Sequence, residues 1–418
     1  MSSGRPHTVS IIGAGILGLS TAYYLRREGV EVTVFDRGLV GAGASSGNAG
    51  EICPSSSDPL PSPVILRDAA THVFRPDSAL YLHPAQVFGS APFLAGFVRS
   101  ATSRKYQAGL AALDLLNRET LQRYDELAAD GIGRVIRRDG YVSCFQTREA
   151  AAAAHRHAIT LARRGLTPGP GELLEGPRLR AVEPALSQTA RWGFVETGDR
   201  WTDPSVLLAD LARWLREAGV EIRENTVVRR ICPDPAGVSL RGFGEPHRSD
   251  AVVLAAGAWS DQLSRSLGTR LRILPGKGYS FSVYPTVMPG HLVKIEEAHV
   301  AATPMGTRLR IAGTMEFDGT YDRMNYGRIE TIIRNARPYL DAVDWDDIGD
   351  EWVGPRPMTP DGLPHIGSLP GHPSVFTVTG HNMLGVSLGP SSAALVTNMI
   401  IGAVPQSGFP AFSPGRFS

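Results

Sequence analysis

Hydrophobic and polar positions along this chain change period where glycine and proline cluster, and the changes mark its elements. Thr8 to Ile12 is a β-branched run that predicts a buried strand. Leu17 to Glu28 predicts a helix, and Glu31 to Asp36 a second strand. Residues 51 to about 92 are rich in Pro and Ser with little periodicity and predict an irregular loop. Gly89 to Ala129 predicts one helix that starts near Pro92, with Leu110, Leu113, Leu116, Leu121 and Leu127 on its apolar face. Gly140–Phe145 predicts a strand, Thr147–Arg164 a helix and Gly165–Gly176 a connector. Asp203-Pro204 predicts the cap of a helix over Ser205–Ala218, which Gly219 ends.

Beyond that helix the pattern is mostly β. Strands are expected at Glu221–Ile231, Val238–Arg241 and Arg248–Leu254, then at Leu271–Ile273, Gly278–Val283, His299–Thr303 and Arg308–Glu316. A helix follows over Asn325–Leu340. Glu351–Gly367 is dense in Pro and Gly and therefore conformationally fixed. Val375–Thr379 predicts a strand and Ser391–Gly402 a final helix. No internal repeat or low-complexity tract interrupts this order.

The glycines between the first strand and helix bring in chemistry. Gly13, Gly15 and Gly18 form G-x-G-x-x-G: the first makes the tight turn, the second admits a pyrophosphate, and the third lets helix and strand touch. The helix N-terminus then offers free N–H groups to that pyrophosphate. Asp36 at the end of the second strand can accept a bond from a ribose hydroxyl. Strand, turn, helix, strand and acid together point to a dinucleotide. A second glycine-rich stretch, Arg37 to Gly50, follows directly, with small side chains and the hydrogen-bonding groups of Ser45, Ser46 and Asn48. Asp250–Ser260 repeats the theme as a strand running into small residues, Gly257 and Trp259.

Composition narrows the class. At 418 residues the chain can hold two domains, at roughly 100–200 residues each. Its formal net charge is +1, which argues against a nucleic-acid partner. Cys53, Cys144 and Cys232 form no C-x-x-C, so neither a zinc nor an iron–sulfur site is suggested and the expected metal content is none. Residues 1–7 lack an apolar run, and Ala393–Val404 is interrupted by Thr397 and Asn398. A cytoplasmic protein without signal peptide or membrane span is expected, peripheral membrane contact remaining open.

Five stretches carry a resemblance: Gly13–Asp36, Ala44–Gly50, Pro275–Ser280, Trp352–Gly367 and Gly380–Gly385. In this order they resemble the D-amino-acid oxidase/glycine oxidase/sarcosine oxidase superfamily of FAD enzymes, with the nearest likeness to the bacterial D-amino-acid dehydrogenases. Residues 51–135 match poorly. The resemblance implies an α/β plus α+β fold, a Rossmann-type FAD-binding domain interleaved with a β-sheet-based substrate-binding domain. The FAD-binding parts are expected at 1–85, 193–265 and 349–418, and the substrate parts at 86–192 and 266–348. It implies FAD held non-covalently, because relatives that tether flavin use a cysteine just before 352–367 and none lies beyond Cys232. Expected cofactor contacts are Gly13, Gly15, Ile16, Leu17, Gly18, Asp36, Arg37, Ala44, Ser45, Ser46, Asn48, Ala49, Gly50, Val228, Ala256, Gly257, Trp259, Gly354, Gly380, His381, Asn382, Met383, Leu384 and Gly385.

For the substrate, the family implies that Arg356 grips an α-carboxylate, a task suited to a guanidinium fork between two stiff prolines. His381 and Tyr279 are further candidates for the catalytic site, each with core packing as the alternative. Arg310 lies near where sarcosine oxidase relatives carry a lysine, and Met383 where glycine oxidase relatives can have a second arginine. The expected activity is oxidation of the Cα–N bond of a small carboxylate-bearing amine to an imine, by hydride transfer to flavin N5, then hydrolysis. The substrate is a D-amino acid, or a cyclic or N-substituted one, and the electron acceptor is O2 or a quinone or other carrier. Two rivals stand beside it: a sarcosine/glycine-oxidase-type secondary-amine oxidase or demethylase, and a flavin-carrying subunit of a larger electron-transfer complex.

Overall fold

A computed structural model describes residues 5–405 and 408–417. Its first sheet has six strands in the order Glu221–Arg223, Glu31–Phe35, Thr8–Ile12, Ala251–Leu254, His372–Thr379, His365–Leu369. The first five run parallel and the edge strand antiparallel. Parallel strands are covered on both faces, which is why Ile11, Val34, Val252 and Val253 are all fully buried. Helices Ile16–Arg27, Pro204–Glu217 and Gly385–Ile400 pack on this sheet and on one another, and Ser103–Ala129 lies against the last of them.

The second sheet has ten strands. Its main path runs Gly349–Met358, Leu274–Val283, Arg308–Phe317, Val300–Met305, Leu292–Ile295, Tyr141–Phe145, Trp192–Thr197, Gly169–Pro170. One face buries Phe281, Val293, Ile295 and Ile311 beneath helix Tyr326–Ala336. Strands Trp192–Thr197 and Gly349–Met358 belong to this sheet, across the boundaries drawn at 193 and 349.

The glycine-rich loop after Asp36 is pinned to the second sheet. Ser280 Oγ donates to the Gly47 carbonyl at 3.1 Å and Thr303 Oγ1 to that of Ala49 at 2.7 Å. Arg308 reaches Asp203, the cap of helix Pro204–Glu217, at 2.9 Å. These contacts fix the small-residue loop between the two sheets.

Several elements differ from the sequence expectation for local reasons. Within 51–92 there is a helix, Pro63–His72, started by Pro63 in its first turn and by Ser62, whose Oγ accepts from Ile65 N–H at 3.2 Å. The helix expected over Gly89–Ala129 is two, Ala91–Ser100 and Ser103–Ala129, because Thr102 caps the second through Lys105 N–H. The strand expected over Glu221–Ile231 breaks at Asn225, which has φ of 52°. Gly349–Met358 is a full strand despite its prolines.

The last helix begins at Gly385, well before Ser391, and runs through Pro390. A proline there leaves the Val386 carbonyl without its helical donor. The buried Tyr124 hydroxyl donates to that carbonyl instead, which explains how the helix tolerates Pro390.

Candidate functional site

Two cavities meet between the sheets. The first, about 680 Å³, opens beyond the C-terminal ends of the parallel strands, where open α/β sheets bind ligands. Gly13, with φ of 117°, makes the turn; an added Cβ would stand 2.4 Å from the Ala255 carbonyl oxygen. At Gly18 a Cβ would stand 1.8 Å from the Gly13 carbonyl oxygen, so this glycine serves helix–strand packing. The Asp36 carboxylate accepts from Ala14 N–H at 2.6 Å and Gly38 N–H at 2.8 Å. It therefore braces the turn as well as facing the cavity.

Most expected cofactor positions line this cavity: Gly13, Gly15, Ile16, Leu17, Asp36, Arg37, Ala44, Ser45, Asn48, Val228, Ala256, Gly257, Trp259, Gly380, His381, Asn382, Met383 and Gly385. Ser45 Oγ accepts from Ile16 N–H at 3.1 Å, within the first turn of helix Ile16–Arg27. Arg37 lies 4.5 Å over the Trp259 ring, which stacks on Tyr321 at 5.3 Å. Ala49 and Leu384 line the second cavity instead. Ser46, Gly50 and Gly354 line neither. Ser46 uses its carbonyl to accept from Ser205, Gly50 packs on the Thr202 carbonyl, and Gly354 lies under the Trp352 ring.

Sequence reasoning missed Thr226, Val227 and Arg229 on either side of the expected Val228, and Thr379, Val386 and Gln262, all of which line the first cavity. Thr226–Arg229 was hidden inside an over-long strand. A strand carries no signal for where it breaks unless Gly or Pro marks it, and here Asn225 does so alone.

The residues fit a flavin dinucleotide. The glycine cradle leaves room where side chains would intrude, and no acidic residue stands in the first turn of either helix facing the cavity, Ile16–Arg27 or Gly385–Ile400. His381 is buried, and burial pushes its imidazole down to about 3, so it is neutral. Its Nε2 meets Ser392 Oγ at 2.9 Å, while its Nδ1 has no partner among the described residues. An orphaned buried ring nitrogen beside this cavity is what a ligand heteroatom would satisfy.

The second cavity, about 720 Å³, lies over the ten-stranded sheet. Ala44, Asn48, Met383 and Arg356 line both cavities, so Arg356 stands where they join. Its Nη1 donates to the Thr314 carbonyl at 2.7 Å. Nε and Nη2 have no hydrogen bond, and no carboxylate forms an ion pair with it among the described residues. Burial pulls this guanidinium down to about 10, with Glu51 opposing the shift from a distance. Its position depends on Gly278, where a Cβ would stand 2.2 Å from Arg356 Cζ.

Tyr279 is elsewhere. It is fully buried, donates to Glu316 and lines neither cavity. Strand alternation explains this: Tyr279 and Phe281 point to the core face under helix Tyr326–Ala336. Arg310 also lines neither cavity; its Nη1 donates to Ser280 Oγ at 3.2 Å, behind the Gly47 loop. Among the described residues no cluster of three or more His, Cys, Asp or Glu could hold a metal ion, and no helix is long and apolar enough to cross a membrane.

Comparison with known proteins agrees with this geometry. The family model for FAD dependent oxidoreductases (DAO) matches residues 8–399. A D-amino acid dehydrogenase of Cereibacter sphaeroides is 32% identical, covering 95% of this chain and 92% of its own length. One of Methylobacterium nodulans is 31% identical, covering 98% and 99%. Among solved structures, glycine oxidase from Geobacillus kaustophilus superposes with a TM-score of 0.74 at 25% identity, covering 99% of each chain. The iminodiacetate oxidase of a Chelativorans species shares the fold, with a TM-score of 0.72 at 19% identity over 97% of this chain and 98% of its own. With the cradle, the neutral histidine and the arginine in place, the chain belongs to the DAO family of FAD-dependent oxidoreductases.

Proposed function

We propose that this enzyme oxidises the Cα–N bond of an α-amino acid, in the D configuration that the names of its relatives indicate, to an imine that water hydrolyses. One observation carries the reading: a guanidinium without an acidic partner stands where the dinucleotide cavity opens into a second cavity. A part-buried cation that the protein leaves unpaired is a site for an anion from outside.

FAD, bound without a covalent tether, supplies the two-electron acceptor when in place. The chain supplies position. Arg356 uses Nη1 to hold Thr314 and presents its Nε/Nη2 edge, which matches both oxygens of a carboxylate. Pro355 and Pro357 restrict the backbone, and Gly278 leaves room for the fork. Anchoring the carboxylate there leaves the substrate's Cα–H directed at the first cavity, an orientation worth more to the rate than any single contact. His381 stays neutral beside the cofactor cavity, its Nδ1 without a partner among the described residues. The N-terminus of helix Gly385–Ile400 faces the same cavity and favours negative charge there.

Mixing FAD-loaded enzyme anaerobically with D-, L-, cyclic and N-methyl amino acids tests the reading. Bleaching of the flavin absorbance by D-amino acids is expected. Bleaching by N-methyl or cyclic substrates alone would replace the primary-amine assignment with the secondary-amine one. Peroxide yield against reduction of a quinone analogue then separates oxidase from dehydrogenase.

A further inference from the structure

The strand that anchors Arg356 is irregular at the anchor itself. Tyr279 pairs with Gly313 and Lys277 with Glu316, so Thr314 and Met315 together stand opposite Gly278. Thr314, whose carbonyl Arg356 holds, has φ of 56°, a left-handed conformation that β-branched residues rarely take. This is a β-bulge, and it resets the alternation of the strand. Before it, Ala312 lines the second cavity. An unbroken strand would turn Glu316 to the same face as Ala312. The bulge brings Met315 to the cavity instead, while Glu316 joins Tyr279 and Lys277 on the other face. The strand thus withholds a carboxylate from the Arg356 side and supplies a thioether.

Met315 stands close to the fork. An added Cβ at Gly276 would lie 3.2 Å from its sulfur, as one at Gly278 would lie 2.2 Å from Arg356 Cζ. These glycines are two residues apart on one face of strand Leu274–Val283, a separation of roughly 7 Å. The sulfur and the guanidinium are therefore within the span of one amino acid.

From Met315 an apolar wall continues. Leu80 is its register partner, Leu60 and Val73 pack on the same cluster, and all three line the second cavity. Ile65 and Ala69, four residues apart on helix Pro63–His72 and so on one face of it, line it too. The charged residues nearest to these in sequence are occupied: Arg75 pairs with Asp77 at 3.2 Å, and Asp58 accepts the Tyr106 hydroxyl at 2.6 Å. Lys294 and Glu196, which line the same cavity, stand two and four strands beyond that of Met315.

We infer that the second cavity selects amino acids with a bulky apolar side chain, which lies against Met315 and the Ile65/Ala69 face of helix Pro63–His72 when the carboxylate is on Arg356. The inference rests on the Arg356 reading given above. Met315 and Ile65 set substrate choice and take no part in the oxidation. Each methylene that leaves water for this wall adds affinity, whereas a charged side chain gives up hydration there and gains no partner.

Three acids that lack the α-amine test this without turnover. The FAD-loaded enzyme is titrated calorimetrically with propanoate, 4-methylpentanoate and glutarate. The branched acid is expected to bind at least about tenfold tighter than propanoate, because it buries more apolar carbon. Ile65→Ser should cut that ratio by about threefold or more, and so should Ala69→Glu; both positions are only part-buried, so folding is not at stake. Equal binding of propanoate and 4-methylpentanoate overturns the apolar pocket while leaving the Arg356 clamp standing. Tighter binding of glutarate than of 4-methylpentanoate overturns the pocket as well. Binding of none of the three overturns both readings. An undiminished ratio in both variants overturns the placing of the side chain against helix Pro63–His72.

Discussion

Replacing Arg356 probes the site most directly. The guanidinium has spent Nη1 on Thr314 and has two donors left on one edge. Each hydrogen bond to a charged group is worth about 1.5–3 kcal/mol, so a two-pronged contact supplies about 3–6 kcal/mol. At 1.36 kcal/mol per tenfold, Arg356→Ala should lower kcat/KM for an amino acid by roughly 10²- to 10⁴-fold. Arg356→Lys keeps a charge but loses the fork, and should fall between that variant and the parent. Flavin content should stay near one per chain in both, because the cradle of Gly13, Gly15 and Asp36 is untouched. The assay is anaerobic flavin reduction against substrate concentration, with benzoate-type carboxylates as competitive ligands. An Arg356→Ala enzyme that keeps its affinity for carboxylates within about threefold would refute the reasoning, since that is well under the weakest fork estimated here.

Other outcomes follow from single contacts. Gly278→Ala puts a Cβ where Arg356 Cζ now stands, so KM should rise by about tenfold or more with flavin still bound; an unchanged KM would show that the fork is not held by this close approach. Tyr124→Phe removes the donor to the Val386 carbonyl beside Pro390, and thermal melting should report a loss of about 1–3 kcal/mol. Gly18→Ala places a methyl 1.8 Å from the Gly13 carbonyl oxygen, and the purified protein should lose most of its flavin, read from the absorbance ratio. The hydrogen bond that its Nδ1–H donates to fully buried Glu183 holds His291 above its ordinary 6.5. The stability this pair adds is therefore complete below pH 6.5 and lost as pH rises through the raised value, so the Tm difference between parent and His291→Gln should shrink on going alkaline.

The dinucleotide half of the site was legible because its signals are local. Thr8–Ile12, Gly13, Gly15, Gly18 and Asp36 lie within one strand–turn–helix–strand unit, whose backbone geometry admits few alternatives. Arg356 was legible only through the resemblance, since nothing about an isolated arginine says that it has no partner. Tyr279 shows the opposite failure. Its neighbours suggested a site, but strand alternation turned the ring into the core, and which face is core depends on helix Tyr326–Ala336, far along the chain. Helix Pro63–His72 escaped notice because its start signal, Ser62-Pro63, sits among other Pro and Ser residues.

By itself, then, the amino-acid order determined a dinucleotide cradle and a balanced charge. Those follow from composition and from contacts between residues close in sequence. Tertiary structure decided which charges go unpaired. Arg356, Gly278 and Thr314 meet only because three antiparallel strands fall side by side, and Glu196 lines the same cavity only because the sheet continues through four more strand pairings. Whether a charged side chain has a partner is a property of distance in space, and the chain becomes explicit about that only when the sheet is assembled.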